Sequence, residues 1–215
     1  FVCDAEHTER AMASFGHTEK EAHSVVIAGG GNIGSLLAQD IEANSSNTLC
    51  HVIEKDKGQA RLIAEKLQQT AVTCGNSLEA DILTEAGVGG TDTFVAVSND
   101  DEVNILSSLL AKRAGANKCM TLINNSSYSS LLNNIGVDIT IDPKLITISK
   151  ILEKVRGGLI INDYTIAGGF GEVIEAEILS NSSFTNKNIN QINLPKTIKV
   201  GAILRKDEII IPNSK

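Results

Sequence analysis

At 215 residues the chain is long for one small domain and short for two full ones, so one domain of roughly 150 residues with a smaller appendage is expected. Apolar residues make up 42 % of it and charged residues 21 %, which allows a sizeable core and excludes a disordered chain. A net charge of −7 argues against a reader of the nucleic-acid backbone, which needs a basic face.

No apolar run reaches the roughly 18 residues that cross a bilayer, and no basic segment followed by an apolar one marks a secretory signal. The four cysteines, Cys3, Cys50, Cys74 and Cys119, are scattered, with no CxxC pair and no histidine at zinc-ligand spacing. Cys50, Cys74 and Cys119 fall in strand-like runs, where a thiol reads as a small buried apolar group. A cytoplasmic, metal-free protein is expected, and a chain that opens at Phe1 reads as part of something longer.

Residues 1–23 read as an ending: an apolar pair, Phe1-Val2, then a polar helical stretch from Met12 to Glu21. From Ser24 onward short β-branched runs alternate with amphipathic segments of helical length, the signature of an α/β fold with a Rossmann-type, doubly wound parallel sheet. Strands are expected over 24–28, 48–54, 71–74, 93–98, 119–123 and 138–142. Helices are expected over 32–43, 58–68, 77–86, 100–114, 126–135 and, after Pro143, 144–155. Beyond Gly157-Gly158, the expected hinge, come runs at 159–166, 171–179, 199–204 and 208–211, rich in Ile and Val and mostly without helices between them. They indicate a small α+β appendage, with Arg205-Lys206-Asp207 as a hairpin turn.

The first strand runs directly into Gly29-Gly30-Gly31-Asn32-Ile33-Gly34, a GxGxxG match. Alone that motif is weak. Here it follows a strand and opens an amphipathic helix, and Glu54 ends the next strand twenty residues after Gly34. Gly29 permits the tight turn, Gly31 lets the backbone approach a pyrophosphate, and Gly34 allows the helix to pack closely. The amides of Asn32 and Ile33 lie at a helix N-terminus, which favours an anion. Glu54 is placed to accept from ribose hydroxyls and to repel a 2′-phosphate, which argues for NAD(H) over NADP(H), although Lys55 beside it offsets that repulsion.

The other strand ends complete the reading. Cys74, Gly75 and Asn76 border the adenine side, and Asn76 with Glu79 reads equally as a helix cap and its partner. Val97, Ser98, Asn99 and Asp100 fall near the nicotinamide side, and Ser98, Asn99, Asp100 and Glu102 also suit a helix start. The residues of a reaction are harder to find. Of the histidines His7, His17, His23 and His51, the first three precede the fold and His51 lies inside the second strand; no YxxxK, GxSxG or Cys/His pairing is present.

Gly29–Gly34 as GGGNIG, Val52–Asp56 as VIEKD, Val95–Asn104 as VAVSNDDEVN, the stretch from Tyr128 to Asp138, Asp142-Pro143-Lys144 and the run Leu194-Pro195 to Arg205 resemble, in combination and over essentially the whole chain, the Trk-type potassium-uptake regulators of the RCK family. The resemblance implies an RCK_N domain over 24–157 and an RCK_C domain over 158–215 that lacks its last strands. Residues 1–23 would then be the tail and linker of a preceding module, which makes this the second of two. It also implies a non-enzymatic regulatory subunit, a homo-oligomer that gates an integral-membrane potassium transporter subunit from the inner face of the membrane. NAD(H) is the implied ligand, with ADP or ATP as the other nucleotides. Asn32 stands where ATP-responsive relatives carry an arginine, and Asn76 and Asn124 where charged residues are common, which removes ligand contacts. The alternatives are an NAD-dependent oxidoreductase or epimerase fragment and a nucleotide-free scaffold module.

Overall fold

The computed structural model describes residues 8–15, 22–45, 47–128, 132, 135–155, 160–166, 171–195, 197–205 and 208–212. The expectations placed on Phe1-Val2, Cys3, His7, His17, Leu131, Gly157-Gly158 and Lys206-Asp207 lie outside the described residues. The chain divides into two compact units, one spanning Glu21–Lys150 and the other built from Phe1–Lys20 and Ile151–Lys215.

The larger unit opens with β1 (Ser24–Ala28), α2 (Asn32–Asn44), β2 (Leu49–Glu54), α3 (Lys57–Lys66) and β3 (Ala71–Cys74), preceded in the chain by α1 (Thr8–Ser14) of the other unit. It continues through α4 (Ala80–Glu85), β4 (Thr93–Ala96), α5 (Asp101–Ala114), β5 (Lys118–Leu122) and β6 (Ile139–Ile141), with α6 (Pro143–Val155) following. The six strands form one sheet in the order β3-β2-β1-β4-β5-β6, every neighbouring pair parallel. The chain reverses its direction of travel between β1 and β4, and that switch point opens a crevice at the strands' carboxyl ends.

Both faces of the sheet are covered, which is why its strands read as nearly continuous apolar runs. Val26, Ala28, Ile53, Phe94 and Ala96 pack on one face with Leu83 of α4 and Ala111 of α5. Val25, Ile27, Val52 and Val95 pack on the other with Ala38 of α2 and Ile63 of α3. The period-2 alternation of side chains sends neighbouring residues of β1 into different cores.

The helix ends follow from local chemistry. Asp56 caps α3 by accepting from the Gln59 amide at 2.7 Å. Asp100 caps α5 by accepting from the Val103 amide at 3.0 Å, and Gly115 closes that helix in the left-handed region at φ 110°. Where expectation and structure differ, a side chain usually explains it. The helix expected over 77–86 begins only at Ala80, because the Asn76 side chain accepts from the Leu78 amide and holds a turn there. The strand expected to reach residue 98 stops at Ala96, and the Ser98 amide is taken by the Asn104 side chain instead. Of the helix expected over 126–135, the described residues hold a 3-10 turn at Ser126–Tyr128 and a helical, buried Leu132 packed with Ile123 and Val137.

In the smaller unit β7 (Ile160–Ile166) and β8 (Gly171–Ala176) pair antiparallel, and so do β9 (Ile203–Arg205) and β10 (Glu208–Ile210). Among the described residues no helix is long and apolar enough to cross a membrane.

Candidate nucleotide-binding cleft

The three glycines of the turn do separate jobs, and the backbone shows which. Gly29 sits at φ +108°, and a Cβ there would lie 2.8 Å from the Ser98 amide nitrogen. A Cβ on Gly34 would drive into the Gly29 carbonyl oxygen, so the first turn of α2 is seated directly on the end of β1. Gly31 is different. It is the N-cap of α2 at φ −67°, and a Cβ built on it meets nothing within 4 Å. Neither backbone angle nor packing against the protein demands glycine at that position.

The open space beside Gly31 is a cleft of about 190 Å³ at the switch point. Of the residues picked out in the sequence, Gly29, Gly31, Glu54, Lys55, Gly75, Asn76, Val97, Ser98 and Asn99 line it. Gly30 is buried behind them, where a Cβ would meet Ile63 and the Glu54 side chain. Asn32 and Ile33 are exposed in the first turn of α2, whose N-cap makes no side-chain hydrogen bond, and Gly34 is buried. Cys74 corrects an expectation. It was expected to be buried, but it is exposed, because it ends an edge strand; Cys50 and Cys119 are buried, and desolvation pushes both thiols up to about 11.

Glu54 is fixed by the turn it faces. Its Oε2 accepts from the Gly30 amide at 2.7 Å and its Oε1 from the Asp56 amide at 2.8 Å. Each carboxylate oxygen keeps a lone pair for a further donor. Gln59 completes the clasp by donating from Nε2 to the Gly30 carbonyl at 2.7 Å.

The opposite wall is built by α5. Asn104, 1 % exposed, accepts from the Ser98 amide at 2.8 Å and donates to the carbonyls of Ser98 at 2.9 Å and Leu122 at 3.0 Å. One side chain thereby sets the ends of β4 and β5 relative to each other. Buried Asp101 accepts from the amides of Asn124 and Asn125, and Lys144 donates to the Asn124 carbonyl at 2.7 Å. The Tyr128 hydroxyl donates to Glu102 at 2.7 Å, and that carboxylate pushes the phenol pKa up.

The family model of the TrkA-N domain matches residues 25–143. The chain belongs to the TrkA-N family. Over 99 % of its length it is 39 % identical to the Trk system potassium uptake protein TrkA of Azorhizobium caulinodans. It spans about half the length of the curated relatives it matches, 46 % in that case. Among solved structures its fold is similar to that of the TrkA-N domain of the inner membrane protein ybaL from Escherichia coli, with TM-score 0.56 and 14 % identity, over 64 % of this chain and 99 % of that one. It is also similar to the GsuK channel bound to NAD, with TM-score 0.54 and 18 % identity, over 69 % of this chain and 26 % of that one. The RCK-type Rossmann fold that the motifs implied is therefore the fold of this TrkA-N chain.

Gln59, Asp101 and Asn104 escaped the sequence reading of the cleft, as did Ser77 and Val103, which line it. Asn104 was quoted only as part of a motif. Its signal was a polar residue on a helix face that had to cover the sheet, where an unpaired amide is costly and a paired one fixes geometry. His51, the one histidine in a strand among the described residues, is not among the cleft residues. Its Nε2 lies 2.8 Å from Thr73 Oγ1, which donates to Glu85 at 3.2 Å.

Proposed function

We propose that this TrkA-N chain is the nucleotide-sensing part of a Trk-type potassium uptake system, a cytoplasmic regulator that binds NAD(H) in the switch-point cleft. Gly31 carries the reading. It faces the cleft with no protein atom near its absent side chain, and a dinucleotide pyrophosphate is the group that needs a bare backbone at that point of a Rossmann turn. Uncapped amides at the start of α2 supply the donors for that anion. On this reading Gly29 to Gly34 hold the pyrophosphate, Glu54 and Lys55 face the adenosine ribose, Cys74 to Asn76 border the adenine, and Val97 to Asn99 face the second half of the ligand. ADP and ATP are the competing nucleotides.

Residues 24–157 are proposed as the RCK_N domain and 158–215 as the RCK_C domain of a second module, after a linker over 1–23. Binding without turnover is the expected chemistry. A nucleotide that prefers one domain arrangement shifts the population of a homo-oligomer coupled to the membrane transporter subunit. The name these relatives share, Trk system potassium uptake protein, supports the potassium assignment. Isothermal titration with NAD+, NADH, NADPH, ADP and ATP tests the ligand. Saturable binding of NAD(H), stronger than NADPH and with that advantage reduced in Glu54→Ala, supports the reading. An empty cleft leaves the scaffold role, and steady NADH oxidation with a carbonyl substrate returns the oxidoreductase.

A further inference from the structure

The two walls of the cleft carry different charge. On the β2 side Glu54 is held by the Gly30 and Asp56 amides, and Lys55 is the one cation among the lining side chains. On the β4 side the ionisable lining residue is Asp100, with Asp101 and Glu102 next to it in the first turn of α5. Three carboxylates there outweigh the roughly half positive charge that a helix N-terminus contributes. Lys55 adds a single opposing charge that reaches Asp100, and Lys144 donates to the Asn124 carbonyl beyond Asp101.

A dinucleotide laid across the switch point puts its adenosine half over β2 and its nicotinamide half over β4. Its diphosphate lies between, against Gly31, and is the group that draws Lys55. The second ring then faces the acidic wall. This argument rests on the cleft being a dinucleotide site. We propose that Asp100 makes the cleft selective for the oxidised dinucleotide, whose nicotinamide ring is positively charged, over the reduced one, whose ring is neutral. The chain would then read the oxidation state of the nicotinamide pool rather than its size.

Asp100 is ionised throughout the neutral range, because the Val103 amide and its neighbours hold its carboxyl below the usual carboxylate range. Asp100 is solvent-exposed, so water and ions screen its charge pair with the ring, and the preference expected at low salt is about fivefold. The substitution Asp100→Asn removes the charge and keeps the cap, since asparagine caps helices as well as aspartate does.

The test is titration of wild type and Asp100→Asn with NAD+, NADH and ADP-ribose at low salt. Wild type is expected to bind NAD+ about fivefold tighter than NADH. In Asp100→Asn the two should fall within about twofold of each other, with ADP-ribose, which lacks the ring, unchanged. Equal or tighter NADH binding by wild type overturns the proposal, as does a preference that survives Asp100→Asn. If ADP-ribose still binds in those cases, the cleft assignment stands and only charge selection falls. If ADP-ribose fails to bind wild type, the cleft assignment falls and this inference with it.

Discussion

Replacing Gly31 with alanine separates a ligand's demand for glycine from the fold's. The added Cβ meets nothing within 4 Å, and φ −67° suits alanine. Lower entropy of the unfolded chain contributes about 0.4–1 kcal/mol of stability, and losing a glycine N-cap offsets it by a similar amount. Stability should therefore stay within about 1 kcal/mol of wild type. The same methyl occupies the space of a pyrophosphate oxygen, so NAD(H) affinity should fall at least tenfold, about 1.4 kcal/mol. Gly34→Ala gives the contrast. Its Cβ drives into the Gly29 carbonyl oxygen, so that variant should lose stability outright, by about 1–3 kcal/mol. Thermal unfolding and titration calorimetry on both variants read the two quantities side by side. Unchanged nucleotide affinity in a stable Gly31→Ala protein refutes the pyrophosphate assignment, and a large stability loss in that variant refutes the claim that the space is open.

Asn104→Asp keeps the acceptor for the Ser98 amide but removes both donors, leaving the Ser98 and Leu122 carbonyls unpaired beside a carboxylate. A loss of about 2–5 kcal/mol in denaturant unfolding is expected, and a loss under about 1 kcal/mol would show that the three bonds do not set the wall. Cys74 should be alkylated readily by iodoacetamide in the native protein, while Cys50 and Cys119 react only on unfolding, as peptide mapping would reveal; NAD(H) should slow Cys74, whose register partner is Glu54. Burial lowers the pKa of His51, with the charge of Glu85 opposing, so the fold favours the neutral ring. Its contribution is full above the unfolded-state pKa of about 6.5 and is lost as pH falls through the lower folded-state value. Thermal midpoints at pH 7 and pH 5 should differ more for wild type than for His51→Gln; equal differences would assign the acid sensitivity to other groups.

The sheet was legible in the sequence because a doubly covered parallel strand must be apolar on both faces. The runs at 24–28 and 71–74 have the bounds of β1 and β3. The glycine turn was legible because its constraints are local, within one strand, one turn and one helix. The wall opposite was not, since Asn104 acts on Ser98 and Leu122 through contacts that only the fold creates. Helix α5 shows the same limit. Its leucines at 106, 109 and 110, with Val103, suit either an association surface or packing on the sheet. The fully buried stripe is Asn104, Ser107, Ser108 and Ala111, with Leu109 and Leu110 partly buried beside it, while Leu106 is 49 % exposed. Apolar periodicity cannot announce a face that satisfies itself by hydrogen bonding.

That polar stripe makes α5 a fixed jaw. A helix resting on methyl groups slides by a fraction of an ångström and keeps most of each contact. On α5 the bonds are directional: Asn104 holds two strand ends, Ser108 and Thr121 share a hydrogen bond at 2.6 Å, and the Cys119 thiol donates to the Ser108 carbonyl at 3.3 Å. Sliding breaks them together in a buried setting, where each broken bond leaves an unpaired group. Adjustment to a ligand then falls to the other jaw, where Glu54 and Gln59 hold Gly30 through side chains that water can reach. If a nucleotide binds in this cleft, one side alone would adjust to it, which would keep the second half of the ligand in a constant position relative to β5.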